Sequence, residues 1–562
     1  MSRIKLFTVV LFALSQGAFA QIVDRPSAGD QIRQIPPRPV PQRAVPEVRI
    51  EQGGAPAFAG SDQVKILVQS LNVTGQALYS EAELVAVTGF SPGRELSLSD
   101  LRGMAAKIAD HYRRNGYFVA QAYLPAQDIK DGAVTIAVLE GRYGDISLRN
   151  QTKLSDGLAN GLLGGLNSGD TIAIAPLESR LLLLSDVPGV NVRSTLVPGA
   201  SVGASDLIVE VTPGQRVTGS VEADNAGNRY TGEYRVGGAV HFNNLTGHGD
   251  VLSFRGLTSG PGLHYGRASY QLQFGKATAG VAYTALNYRL GKEFESLQAH
   301  GTAEIASIYG SYPLIRSRNS NLYALVDFDA RTFQDKVDTV PSPMDVTDKK
   351  AKVLIAGLYG NQRDGFGGGG LTTYSLTENL GDLDIRTPWA LALDKNEPGP
   401  HTNGHYQKLG FHGSRLQRVT ERLSLYAGID GQIASKNLDI SEKMGLGGMY
   451  AVRAYPVGEG YMDQGYVAKL EARLLLGKIT QDMPGQLHLV GFADTGSGIL
   501  HKTPWMAGDN RRTLSGAGVG LTWERYNNFV VNAYWAHKVG NAVATSAPDK
   551  NGRFWIQAVK YF

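Results

Sequence analysis

From about residue 215 to residue 562 the hydrophobicity of this chain alternates with a period of two, and sustained alternation of that kind is the mark of β-strands. In Tyr234–Phe242 the positions Tyr234, Val236, Gly238, Val240 and Phe242 oppose Arg235 and His241. Leu322, Ala324, Val326 and Phe328 share one face, with Asp327 and Asp329 on the other. Tyr466, Ala468, Leu470, Ala472 and Leu474 oppose Lys469, Glu471 and Arg473. Such strands suit a barrel with lipid outside and a wet lumen inside. A soluble sandwich would bury the apolar face instead, and hydropathy alone does not separate the two.

Connection lengths do. Roughly sixteen strands fit the pattern, beginning near residues 215, 231, 250, 265, 277, 301, 319, 350, 368, 405, 422, 465, 486, 512, 528 and 552. Connections after even-numbered strands are mostly tight, as at Thr246-Gly247-His248-Gly249 and Arg525-Tyr526-Asn527. Several after odd-numbered strands are long, notably 332–349, 381–404 and 435–464. Short turns on one rim, long loops on the other and a terminal aromatic residue, Phe562, point to an outer-membrane barrel. No run of about eighteen apolar residues occurs in the chain, so a membrane-embedded part must be a closed barrel.

The first twenty residues read as an address. Arg3 and Lys5 precede a short apolar stretch, Leu6 to Leu14, followed by Ala18-Phe19-Ala20. This is the pattern of a secretory signal over residues 1–20, with the mature chain beginning near Gln21. Residues 21–62 are polar and rich in proline (Pro36, Pro37, Pro39, Pro41, Pro46 and Pro56), which favours an extended linker. A short helical turn around Asp30–Gln34 is compatible with that stretch.

Residues 64–214 contain a repeat. Gly116/Gly189, Pro125/Pro198 and Gly141/Gly214 are each 73 residues apart. The apolar pairs Val134/Leu207, Ile136/Val209 and Val138/Val211 keep the same register. Each unit, 64–141 and 142–214, reads strand, helix, helix, strand, strand. In the first, Leu101, Met104, Ala105, Ile108 and Tyr112 form a helix pattern opened by Ser99 and closed by Gly116. In the second, Leu177, Leu181 and Leu184 follow Pro176 in the first turn. Periodicity alone leaves open a pair of small α+β domains with no special role.

Two short motifs make these features specific. The loop 435–464 contains Val452-Arg453-Ala454-Tyr455, and the thirteenth strand carries Phe492-Ala493-Asp494-Thr495-Gly496. Together with the signal, leader, repeats and barrel, they resemble the two-partner secretion transporters, the TpsB family, whose haemolysin secretion/activation branch takes its name from ShlB, FhaC and HecB. The motifs are similar to that family's VRGY and F-x-D-x-G patterns. Ala454 departs from the usual glycine, so either this turn needs no positive φ or the tip is shaped differently. On the thirteenth strand Leu487, Leu489 and Ala493 alternate with His488, Phe492 and Asp494, which aims Asp494 into the lumen. The resemblance implies that the loop folds back inside the barrel and brings Arg453 to Asp494, a fit of guanidinium to carboxylate in a hydrated lumen. The expected motif residues are Val452, Arg453, Tyr455, Phe492, Asp494 and Gly496.

The resemblance also implies a fold class: α+β periplasmic POTRA (polypeptide-transport-associated) repeats followed by an all-β transmembrane barrel of about sixteen antiparallel strands. It implies partners as well: a large secreted β-helical exoprotein of adhesin or haemolysin type, outer-membrane lipid, and the barrel assembly machinery during biogenesis. The implied activity is export of the unfolded exoprotein without ATP, after recognition by the repeats through β-augmentation. A rival reading is an assembly factor that inserts barrels into the membrane; only two repeats and the Pro-rich leader argue against it. A passive pore or adhesive barrel would leave the repeats without a task.

Other chemistry finds no footing. Gly365–Gly370 formally matches G-x-G-x-x-G but lies between β patterns instead of opening a helix. Gly199-Ala200-Ser201-Val202-Gly203 matches a nucleophile elbow with no helix after it. His401 and His405 have metal-ligand spacing, but Pro398, Gly399, Pro400 and Gly404 preclude a helix presenting both. No cysteine is present, which excludes a disulfide scaffold and cysteine-ligated metal. A net charge of +4 gives a nucleic-acid surface no support. The expectation is a chain without catalysis, cofactor, metal or nucleic acid.

Overall fold

The computed structural model describes residues 26–36, the backbone of 47–50, and residues 64–342 and 344–562. The segment read as a secretory signal, residues 1–20, lies outside the described residues, as does much of the Pro-rich leader.

Sixteen antiparallel strands close into a barrel, from Val217–Asp224 to Gly552–Tyr561. Ser220–Asp224 of the first strand pair with Gln557–Tyr561 of the last. The terminal Phe562 completes this seam: its N–H donates to the Gly219 carbonyl at 3.1 Å, and the Gly219 N–H donates back at 2.9 Å. Alternation decides which face meets lipid. Val236, Val281, Ile308, Leu470, Leu489 and Val519 are exposed on the outside, whereas Arg235, Asp329, Glu471 and Asp494 are buried inside. All sixteen strands begin within four residues of their predicted starts.

The loops are shorter than the sequence suggests. The seventh and eighth strands run 18 and 19 residues, Ser320–Val337 and Val346–Asp364, while a barrel strand needs only about 9–11 to cross the bilayer. They therefore project beyond the membrane, and the connection read as 332–349 shrinks to 338–345. A helix, Pro388–Lys395, occupies the loop after the ninth strand.

The repeat units carry separate cores. In the first, Leu101, Met104, Ala105, Ile108 and Tyr112 are buried on one face of the helix Leu98–Arg114. That helix opens at Ser97, two residues before the predicted Ser99. The Ser97 side chain accepts from the Asp100 N–H, and the Asp100 carboxylate accepts from the Ser97 N–H, a reciprocal capping box. Gly116 and Gly189, equivalent in the repeat, both have positive φ (91° and 79°), which explains glycine at both positions. Each unit has a three-stranded core in which an early strand lies parallel to the last and an antiparallel strand lies on the far side: Ser70–Thr74, Ala133–Leu139 and Gln121–Tyr123, then Arg142–Asn150, Ala204–Pro213 and Val190–Pro198. The first unit departs from the expected order by an added antiparallel pair, Lys65–Val68 with Arg94–Ser97.

The second unit docks on the short-turn rim. Arg316 makes a two-pronged contact with Asp186 (2.6 and 2.9 Å), Arg318 pairs with Glu178 at 2.9 Å, and the Ser155 N–H donates to the Gly247 carbonyl at 2.8 Å. The leader is more than a spacer. Ala28–Arg33 forms a helix inside the barrel, beginning two residues before the turn expected around Asp30–Gln34 and overlapping it, and Glu47–Ile50 joins the second unit as a parallel strand beside Val190–Pro198.

Candidate functional site

The thirteenth strand, Gln486–Ile499, turns Val490, Phe492, Asp494 and Gly496 inward. Residues 435–463 fold back against it, burying Leu446, Val452, Ala454, Tyr455 and Met462 completely. The tip is a tight turn: the Val452 N–H donates to the Leu446 carbonyl (2.9 Å) and the Tyr455 N–H to the Val452 carbonyl (3.1 Å). A Cβ on Gly496 would stand 2.9 Å from Leu446 and 3.2 Å from Val452. The absent side chain at Gly496 therefore lets the tip lie flat on the strand. Ala454 does not have a positive φ. Its Cβ faces Gly516 of the fourteenth strand, so this turn needs no glycine, and the small residue stands on the wall instead.

Arg453 is the centre of the contact. Its Nε and Nη2 donate to the two oxygens of Asp494 at 2.8 and 2.7 Å, and its N–H donates to the same carboxylate at 3.2 Å. Nη1 reaches Glu471 at 2.8 Å. The guanidinium lies 3.6 Å above the Phe492 ring and 5.2 Å from that of Tyr534, and the Trp555 indole N–H donates to the Arg453 carbonyl at 2.7 Å. The Tyr455 hydroxyl donates to the Ala542 carbonyl at 3.0 Å. All six predicted motif residues thus meet in one cluster. The expected hydrated lumen is corrected: the Arg453 and Asp494 side chains are only 4% and 0% exposed, sealed by aromatic rings.

Sequence reasoning missed further anchors on the same loop. Glu442 meets Lys408 at 2.6 Å and also Arg331; Asp439 meets Lys349 at 2.5 Å. Burial pushes the Glu442 carboxyl up, but Lys408 and Arg331 outweigh it and hold it at about 2. Glu459 accepts from the Thr545 and Ser546 main-chain N–H groups (2.7 and 2.8 Å) and from Arg512. The signal was present as four acidic residues in one loop, Asp439, Glu442, Glu459 and Asp463. Asp463 pairs with Lys443 of the same loop, but the cationic partners of the other three sit on strands remote in sequence.

The leader helix rests against this loop. The Gln34 side-chain amide donates to the Tyr461 hydroxyl (2.6 Å), and Gly29 lies so close to Ser441 that a Cβ would approach it at 2.8 Å. The Thr231 hydroxyl donates to Gln31 and the Ala28 N–H donates to Asp335. Burial, with the Asp335 carboxylate adding to it, raises Asp30 to about 8 against the hydrogen bonds from Gln31, Ser27 and Tyr461. The docked helix therefore holds a proton that a solvated Asp30 releases near its ordinary value of 3.8. Docking is strongest at low pH and weakens as pH rises from that value towards 8, by up to about tenfold per unit. Protease accessibility of residues 28–36 should therefore rise between pH 5 and 8, and Asp30→Asn should flatten the dependence. A slope unchanged by the substitution removes Asp30 as its source.

Comparison with known proteins gives matches of family and fold. Residues 203–523 match the family described as haemolysin secretion/activation protein ShlB/FhaC/HecB, and residues 66–141 match the POTRA domain, ShlB-type. The heme/hemopexin transporter protein HuxB of Haemophilus influenzae is 31% identical over 98% of this chain and 97% of its own length. The outer membrane transporter CdiB of Dickeya dadantii is 23% identical over 69% of this chain and 68% of its own. The solved structure of CdiB from Escherichia coli superposes with a TM-score of 0.67 at 20% identity, covering 91% of this chain and 93% of that one.

Proposed function

Since the chain belongs to the haemolysin secretion/activation family ShlB/FhaC/HecB, the outer-membrane transporters of two-partner secretion, we propose that it recognises its exoprotein through the periplasmic repeat units and passes it unfolded through the barrel without ATP. One observation carries this reading. The edge of Val190–Pro198 already accepts an extended segment by main-chain pairing, with Glu47 opposite Arg193 and Ile50 opposite Leu196.

An edge that takes the leader strand can take a strand of similar shape from another chain, since β-augmentation draws its affinity from main-chain hydrogen bonds. The exoprotein would replace Glu47–Ile50 and loosen the leader whose helix sits in the lumen. Release of that helix and of the loop held by Arg453 would then open the path. Val452, Arg453, Tyr455, Phe492, Asp494 and Gly496 act in this scheme as the latch of the inserted loop. Folding outside the cell withdraws the chain from the pore and makes passage one-way.

HuxB is named for heme/hemopexin transport. The first partner to test is therefore an exoprotein encoded beside this chain, assayed for binding of heme or hemopexin. The transport test uses proteoliposomes containing only this chain, with the repeat units outward. Unfolded partner added without nucleotide should become protected from protease inside. Protection that needs ATP, or none at all, sinks the proposal.

A further inference from the structure

Two arginines on the lumen wall hold the leader by its backbone. Arg235, on the second barrel strand, donates from Nη1 to the Gln34 carbonyl at 3.2 Å. Arg255, on the third, donates from Nη1 to the Pro36 carbonyl at 2.9 Å. Neither bond involves a side chain of the leader, so neither depends on which residue presents the carbonyl.

Both guanidinium groups are set in place beforehand. Arg235 grips Asp224 with Nε and Nη2 (2.9 and 3.2 Å), and Arg255 donates from Nη2 to Glu222 at 2.9 Å. Glu222 and Asp224 stand two apart on the inward face of the first strand. The four side chains are 0–10% exposed, so their orientation is fixed by the wall. Hydrogen-bonding capacity is left over: among the described residues, Arg255 Nε and Glu222 Oε2 make no hydrogen bond. One is a donor and the other an acceptor, the complement of the C=O and N–H of a peptide unit.

We propose that this wall is a main-chain grip for an extended polypeptide, occupied at rest by the leader and used in transit by the exported partner. An exported chain presents every kind of side chain in turn, and only its backbone is constant. Donors aimed at carbonyls meet that requirement, and the carboxylates behind them keep the arginines from collapsing onto acidic residues of the passenger. At rest the two carbonyls come from the end of the leader helix, Gln34 with helical φ and ψ of −84° and −5° and Pro36 two residues on. Carbonyls two residues apart on an extended passenger also point to one side, so the same pair of donors can take them in turn. The inference rests on the lumen being the export route.

The test exploits the absence of cysteine from the chain. Single cysteines are placed at Ser253→Cys, two residues from Arg255 on the third strand, and at Ser414→Cys on the far wall. A partner carrying a folded, non-exportable domain at its end is stalled in the pore, and cysteines along its exported stretch are scanned for disulfide formation. The stalled partner should cross-link at both positions whatever its local sequence. Arg235→Gln with Arg255→Gln, made also in a chain lacking residues 28–36 so that release of the helix cannot account for the result, should lower cross-linking at Ser253→Cys by about fivefold, the loss expected from one or two hydrogen bonds. Cross-linking at Ser414→Cys should persist. Arg255→Lys keeps the charge opposite Glu222, protects assembly and should still lower the Ser253→Cys yield by about twofold. An unchanged yield in both variants overturns the grip and leaves the export route standing. Absence of cross-linking at both walls removes the route and the grip with it.

Discussion

Arg453→Ala should assemble a normal barrel yet cut secreted partner per assembled transporter by at least tenfold. Assembly survives because residue 453 takes no part in the ladder of sixteen strands. Secretion fails because the substitution strips a guanidinium from two carboxylates, Asp494 and Glu471, whose side chains are 0% and 8% exposed. Breaking a buried pair from one side costs roughly 3–5 kcal/mol, since the charge left behind has lost its water. Glu471 keeps Arg473 at 2.7 Å, but Asp494 loses both prongs.

The reverse change is milder. Asp494→Asn leaves Arg453 its contact with Glu471 and its seat on Phe492, and should weaken the loop by about 1–3 kcal/mol. Arg453→Lys should rescue in part, because an ammonium cannot reach Asp494 with two prongs and Glu471 at once. The double variant Arg453→Ala with Asp494→Asn should be no worse than Arg453→Ala alone, as the second change removes the charge the first orphaned. Secretion is read per barrel, with protease accessibility of 435–463 as a second readout. If Asp494→Asn were as damaging as Arg453→Ala, or if the two effects multiplied, the latch would have to be sought elsewhere on the loop.

The pairing of Arg453 with Asp494 was legible in the sequence because two short motifs announce it in order along the chain. Its dryness was not. Phe492, Tyr534 and Trp555 come from the thirteenth, fifteenth and sixteenth strands, and only closure of the barrel and return of the loop bring the first two rings against the Arg453 guanidinium and the indole N–H to its carbonyl. Strand positions were legible for a different reason: inward and outward faces alternate at every register, and a slip by one residue would put Asp327 or Glu471 into lipid.

The leader shows where pattern fails. Ala28–Arg33 is six residues long and buries Asp30 and Gln31 instead of an apolar stripe, so no periodicity marks it. Its docking depends on Thr231, Asp335 and Tyr461, contributed by loops and strands spread over more than two hundred residues.

A covalent lock on the leader strand should abolish secretion reversibly. Glu47 and Arg193 are direct partners in the parallel ladder between Glu47–Ile50 and Val190–Pro198. Neighbouring strands lie about 4.7–4.9 Å apart, inside the roughly 4.4–6.8 Å between Cα atoms that a disulfide spans. Glu47→Cys with Arg193→Cys should therefore oxidise readily, and the chain has no native cysteine to compete. With the bond formed, the edge stays occupied and secretion should fall to background; a reductant should restore it, and either single cysteine should secrete normally. The lock also tethers the leader, so loss of secretion could arise from a helix kept in the lumen. Repeating the experiment in a chain lacking residues 28–36 separates the causes. There the lumen holds no leader helix to retain, and the bond withholds nothing but the edge. Secretion that returns in that shortened, oxidised chain would mean the partner does not need the edge, and recognition by strand addition at Val190–Pro198 would fall.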